Sequence, residues 1–132
     1  MITVEVDRRP ADEDLRKLWL AVWAEAGPAD FAAILSRSLV YVCAYDSPRL
    51  VGFVNVAWDG GQHASIFDTA VHPEYRRHGL GNTLVRHAVE LARQRGARWL
   101  HVDFASRLTE FYRKCGFRPT SAGLIELRRR DG

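Results

Sequence analysis

Residues 64–104 read as strand, helix, strand, and no other feature of the sequence constrains the fold as much. Residues 64–71 and 99–104 are short, apolar and rich in β-branched and aromatic side chains. Between them, residues 80–95 place Leu84, Ala88, Leu91 and Ala92 on one helical face, with Val85 and Val89 beside it, and Gly96 follows. A strand that returns to its own sheet through a helix does so as a parallel neighbour, by a right-handed crossover. The sheet must therefore contain at least one parallel pair.

The preceding half has the opposite character. Residues 2–6 read as a first strand. Asp12, Glu13 and Asp14 then open a helix whose apolar spacing (Leu15, Leu18, Trp19, Val22, Trp23, Ala26) runs to Gly27 and Pro28. A short second helix is expected over 30–37. Strands at 39–45 and 50–58 flank the turn Asp46-Ser47-Pro48, and Asp59-Gly60-Gly61 joins the second of these to residues 64–71. That is an antiparallel meander. After residues 99–104, Ser106 is placed to cap a helix running to Cys115 and Gly116, and residues 124–127 read as a final strand. The expected fold is α+β: a mixed, mostly antiparallel sheet with one parallel βαβ unit between its fourth and fifth strands and about four helices. One domain over 1–132 is expected, since the connections are short.

The 132 residues contain no apolar run near the roughly 18 that a membrane helix needs. No membrane association is expected, and residues 1–7 lack the pattern of a secretory signal. Cys43 and Cys115 cannot form a disulfide framework, so reduced, cytoplasmic thiols are expected. The five histidines have no metal-ligand spacing, and no metal is expected. A formal net charge of +3 suits a phosphate-bearing partner, either nucleic acid or a phosphorylated cofactor. The arginines are scattered over several elements, which argues against nucleic acid. Arg128, Arg129 and Arg130 read as a solvated chain end.

The chemistry is concentrated between residues 71 and 81. Gly79 and Gly81 open a helix, where free N–H groups carry partial positive charge, and Arg76 and Arg77 stand beside them. Such a turn is either a bare helix start or a seat for phosphate. Two nucleotide motifs are excluded: there is no GxxxxGK[ST], and GxGxxG fails because position 84 is Leu. The run Arg76-Arg77-His78-Gly79-Leu80-Gly81 does resemble motif A of the Gcn5-related N-acetyltransferases, Q/R-x-x-G-x-G/A after a strand. Phe111-Tyr112-Arg113-Lys114-Cys115-Gly116-Phe117 resembles that family's later tyrosine-helix signature, and the order of elements is similar over nearly the whole chain.

The resemblance implies an enzyme that transfers an acetyl group from acetyl-coenzyme A to a primary amine. It implies a pyrophosphate seat on the amides of Arg77, His78, Gly79, Leu80 and Gly81, with Arg76 alongside. It implies a fourth and a fifth strand that splay apart after a bulge. The pantetheine would then pair with backbone near Ala70 and Val71, and the Val71 N–H would polarise the thioester carbonyl. Tyr112 is the implied general acid; the alternative is a core tyrosine. For the general base, His101 and Asp103 alternate onto one side of the fifth strand, and Asp68 is a further candidate. An acyl-coenzyme A sensor without transfer, and transfer of a longer acyl group, are the alternatives. The acceptor is a small-molecule or peptide amine, and a homodimer is common among relatives.

Overall fold

The computed structural model describes residues 1–128, so Arg129 and Arg130 lie outside the described residues. The chain divides into two compact units, Met1–Val102 and a second beginning at Asp103.

The first unit holds strands β1 (Ile2–Val6), β2 (Ser38–Asp46), β3 (Arg49–Trp58), β4 (His63–Val71) and β5 (Trp99–Val102). Helices α1 (Asp12–Trp23), α2 (Phe31–Leu35) and α3 (Leu80–Gln94) complete it. The strands form one sheet in the order β1-β2-β3-β4-β5. The first four pair antiparallel and β4 pairs β5 in parallel, as the strand-helix-strand run requires.

Alternation along the strands sorts the side chains between two faces. A Cβ on Gly52 would lie 2.9 Å from Leu84 Cδ1 and 3.2 Å from Ala44 Cβ, so this face carries α3. Val40, Val42, Val54 and Val56 share it and are buried, together with Leu80, Leu84, Val85, Ala88 and Ala92 of the helix. Each buried Leu or Val there contributes about 1.5–3 kcal/mol. The glycine at 52 lets the helix approach the sheet closely. The other face carries α1 and α2 through a cluster that includes Leu15, Leu18, Trp19, Phe31, Leu35, Cys43, Leu50, Phe53 and Ala70. Burial pushes the Cys43 thiol up to about 12, which keeps it protonated.

Several boundaries differ from the sequence expectation. Helix α1 stops at Trp23 because Ala24 turns left-handed, with φ 57°, and donates its N–H to Leu20 O at 3.0 Å. Strand β5 ends at Val102, so Asp103 is not on it.

In the second unit, Ser106–Leu108 forms a 3-10 turn and α4 (Thr109–Lys114) follows. Ser106 makes no capping bond from its side chain; its carbonyl instead accepts from the Thr109 hydroxyl at 2.7 Å. Residues 124–127 form no strand. Leu124, Ile125 and Leu127 are exposed, and no strand among the described residues hydrogen-bonds to them. A strand needs a neighbour to satisfy its backbone and bury one face, and this segment has neither.

Candidate active site

The site is built where β4 stops behaving as an ordinary strand. Phe53 pairs with Ala70 and Asn55 with Phe67, so Asp68 and Thr69 together stand opposite Val54. This is a β-bulge. Asp68 takes φ 58°, a left-handed geometry that Asp tolerates better than most residues. The extra residue exchanges the faces: Ala70 joins the α1 cluster, whereas the alternation without the bulge would turn it toward α3. Asp68 is partly buried, and desolvation holds its carboxyl above the usual carboxylate range.

Beside the bulge the parallel ladder ends. It runs from His63↔Trp99 to Ile66↔Val102 and no further. From Phe67 onward β4 has no hydrogen-bonded strand on that side among the described residues. The His72 N–H donates to Val51 O at 2.8 Å, which makes His72 and Val51 a hydrogen-bonded antiparallel pair. By alternation Ala70 also bonds toward β3, while the N–H and C=O of Val71 aim at the open side. This corrects the expectation for Ala70. Its backbone is committed to β3 and its side chain is fully buried, so Val71 carries the free groups. The Thr69 Oγ1 is buried with no hydrogen-bond partner, an orphaned polar atom at the bulge.

The turn after β4 is held from below. Pro73–Tyr75 forms a 3-10 turn with Pro at its start, and His72 Nδ1 accepts from the Glu74 N–H at 3.1 Å. Burial, reinforced by the Arg49 cation, lowers the His72 pKa and favours the neutral ring that can accept. Arg49 also binds Glu74 Oε2 at 2.6 Å, and the Tyr75 hydroxyl donates to the Asp46 carboxylate. The loop is thereby tied to the β2–β3 hairpin. Nothing in the spacing of Asp46, Arg49, His72 and Tyr75 pointed to this bracing; it exists only because β3 and β4 are antiparallel neighbours. A groove of about 560 Å³ opens beside it, lined by residues that include Asp14, Lys17, Arg49 and His72.

Above this brace the backbone turns toward the start of α3. Arg77 (φ 68°) and Gly79 (φ 77°) are left-handed, with His78 between them, the kind of backbone alternation from which anion-binding concavities are built. Gly79 is the N-cap of α3, and its carbonyl accepts from both N and Oγ1 of Thr83, at 3.0 and 3.1 Å. The N–H groups of Leu80 and Gly81 have no preceding helical turn to bond. Arg76, Arg77, His78 and Gly79 are exposed, and neither arginine has an ion-pair partner among the described residues. A Cβ on Gly79 would meet nothing within 4 Å. The Leu80 side chain is buried, so only its backbone could meet a ligand at this turn.

His101 is exposed on β5, and its Nε2 lies 2.8 Å from His63 Nδ1. In the second unit, Asp103 is exposed. Tyr112 is buried on α4, stacked on Phe104 at 4.8 Å and edge-on to Phe111 and Phe117. The Cys115 and Phe117 N–H groups both donate to Tyr112 O, which closes the helix at Gly116. Among the described residues no group of three His, Cys, Asp or Glu could hold a metal ion, and no helix is long and apolar enough to cross a membrane.

A parallel pair whose ladder ends at Val102, a bulge in β4 and a glycine-opened helix follow one another around the end of β4. The sequence matches the acetyltransferase (GNAT) family over residues 8–117, and the chain belongs to that family. It is 34% identical over 71 residues to the uncharacterized N-acetyltransferase ycf52 of Porphyra purpurea, covering 54% of this chain and 41% of that protein. It is 32% identical over 112 residues to the streptothricin acetyltransferase of Streptomyces lavendulae, covering 82% of this chain and 59% of the relative. The chain thus spans about half the length of these curated relatives. A GNAT family acetyltransferase from Streptococcus pneumoniae TIGR4 superposes with a TM-score of 0.81 at 26% identity, covering 98% of this chain and 100% of that one.

Proposed function

We propose that this chain is an acyltransferase that moves an acetyl group from acetyl-coenzyme A to a primary amine, by direct attack within a ternary complex. The observation that carries the proposal is the seat at Arg76, Arg77, His78, Gly79, Leu80 and Gly81, set at the end of a strand whose far edge is open. The residues present fit the cofactor. The left-handed turn and the two arginines suit a pyrophosphate, the outward C=O of Val71 suits an amide-bearing arm laid along β4, and the orphaned Thr69 hydroxyl lacks a polar partner that a bound molecule would supply. When bound, the cofactor supplies the activated acetyl group as a thioester.

The chain's own residues supply the remainder. The Val71 N–H donates toward the carbonyl oxygen on which negative charge develops, a single-donor oxyanion site. The Tyr112 hydroxyl donates a hydrogen bond or its proton to the departing sulfur, since a thiol of pKa near 8.5 leaves more readily when its charge is met. Phe104, Phe111 and Phe117 pack around the Tyr112 ring. The amine must arrive as, or become, the free base, which is the task of a general base.

Isothermal calorimetry with acetyl-coenzyme A, followed by thiol release on addition of streptothricin, spermidine or an alanine-starting peptide, tests the proposal. Binding with amine-dependent thiol release is the expected result. Binding without release to any amine would instead support an acyl-coenzyme A sensor, and faster release from propionyl- or succinyl-coenzyme A would support a longer acyl group. Absence of binding would refute the reading.

A further inference from the structure

Two imidazoles meet where β4 and β5 run side by side. The parallel register sets His63 opposite Trp99 and Ser65 opposite His101, so His63 and His101 stand diagonally across the two strands on one face. His63 Nδ1 lies 2.8 Å from His101 Nε2, and the ring centroids are 5.0 Å apart. That is a hydrogen bond, with the hydrogen on one nitrogen and a lone pair on the other. Both rings are exposed. The backbone beneath them is pinned on each strand. The Asp59 N–H donates to His63 O at 3.0 Å, the His63 N–H donates to Asp59 Oδ1 at 3.2 Å, and the Trp99 N–H donates to Gln62 O at 2.9 Å.

We infer that His63 Nδ1 and His101 Nε2 form a two-point clasp for a borderline divalent transition-metal ion, copper(II) ahead of zinc. The histidines have no metal-ligand spacing along the chain; the register of β4 and β5 alone brings these two together. Each neutral imidazole has one bare nitrogen. With the hydrogens on His63 Nε2 and His101 Nδ1, both lone pairs at the contact are turned over to the ion, which gives up two of its waters. The geometry asks for little movement. Metal–nitrogen bonds of about 2.0 Å set neighbouring nitrogens of a square-planar ion about 2.8 Å apart and those of a tetrahedral ion about 3.3 Å apart. The rings have only to pivot until their lone pairs converge, and exposed side chains can do so. Because both rings stand on paired strands and already touch, little ordering remains to be done when the ion arrives. Imidazole suits copper and zinc, whereas magnesium and calcium take oxygen ligands. Asp59 Oδ1 is engaged by the N–H groups of Gly61 and His63. Among the described residues no third His, Cys, Asp or Glu joins the pair, so water completes the shell. A bound ion ties β4 to β5 one register pair before the ladder ends at Ile66↔Val102. The site is independent of acetyl transfer.

Calorimetry of the parent chain with the chlorides of copper(II), zinc and magnesium tests the clasp. One copper ion per chain, weaker zinc binding and no magnesium binding are expected. Electron paramagnetic resonance of the copper complex should show coupling to two imidazole nitrogens in the parent and to one in His101→Ala. His63→Ala and His101→Ala should each weaken copper binding by at least the roughly 10–100-fold that loss of a mere supporting contact costs a metal site. His87→Ala removes an exposed histidine of α3 and should leave the affinity unchanged. Zinc at about 100 times its Kd should raise the melting temperature of the parent by roughly 5–10 °C and leave that of either clasp variant where it was. If an alanine variant fails to fold, the number of nitrogens coupled to copper in the parent decides the matter by itself. No copper binding, coupling to a single nitrogen in the parent, or an affinity that both clasp variants retain would overturn the inference.

Discussion

Gly79 separates two roles that glycine can play, and a matched pair of substitutions tells them apart. Its φ of 77° is left-handed, a geometry that costs a residue with a Cβ about 1–2 kcal/mol. Apart from its own chain neighbours, nothing among the described residues lies within 4 Å of the position a Cβ would take, so Gly79→Ala adds no tertiary clash to that backbone cost. Gly96, just beyond the other end of α3, has φ 100° and equally open surroundings. Gly96→Ala should therefore lose a similar amount of stability. Thermal unfolding by circular dichroism should show both variants melting lower, by roughly 3–5 °C per kcal/mol for a chain of this size. Affinity should separate them. If a pyrophosphate sits on the amides of residues 77–81, a methyl group at 79 holds it off the backbone. Losing one charge-assisted hydrogen bond of about 1.5–3 kcal/mol weakens binding roughly 10- to 150-fold. Calorimetry with coenzyme A should show that loss for Gly79→Ala and none for Gly96→Ala. Equal affinities in the two variants would refute the reasoning and reduce Gly79 to a helix start.

Tyr112→Phe keeps the ring that stacks on Phe104, so the melting temperature should change little, while kcat for acetyl transfer falls about 10²–10⁴-fold; turnover within about threefold of the parent would return Tyr112 to the core. Gly52→Ala should destabilise the protein by about 1–3 kcal/mol in urea unfolding, because the new methyl group meets Leu84 Cδ1 at 2.9 Å and Ala44 Cβ at 3.2 Å. Asp68 has a folded-state pKa above that of the unfolded chain, so the folded protein holds this proton more tightly. The contribution of Asp68 to stability therefore falls as pH rises from about 4 through the raised value, and stays flat above it. Asp68→Asn should remove that loss, and melts from pH 4 to 7 should show the variant gaining on the parent as pH rises.

Much of the backbone that frames the proposed site was legible in the residues. Gly79 and Gly81 announce a helix N-terminus with arginines beside it, because those properties are local: a missing Cβ, free N–H groups and fixed charge. The Phe111, Tyr112, Gly116 and Phe117 signature was equally visible, as was a parallel β4–β5 pair, which the helical stripe between two strands demands. What was not legible depends on neighbours distant in sequence. The commitment of Ala70 to β3 follows from register, which the bulge at Asp68 and Thr69 sets and no periodicity reveals. The brace from Asp46 and Arg49 to Tyr75 and Glu74 joins two loops that only the antiparallel pairing brings together.

The sequence by itself determined the α+β class, the antiparallel meander with its parallel strand-helix-strand unit, and the start of α3 at its glycine turn, since hydrophobic period and turn chemistry act over a few residues. The tertiary structure decided the rest. Residues 124–127 have the composition of a strand and form none, because pairing requires a partner edge. His63 and His101, 38 positions apart, carry no mutual signal in the sequence. They become a hydrogen-bonded pair only because the parallel register of β4 and β5 sets Ser65 opposite His101 and so brings His63 diagonally within 2.8 Å.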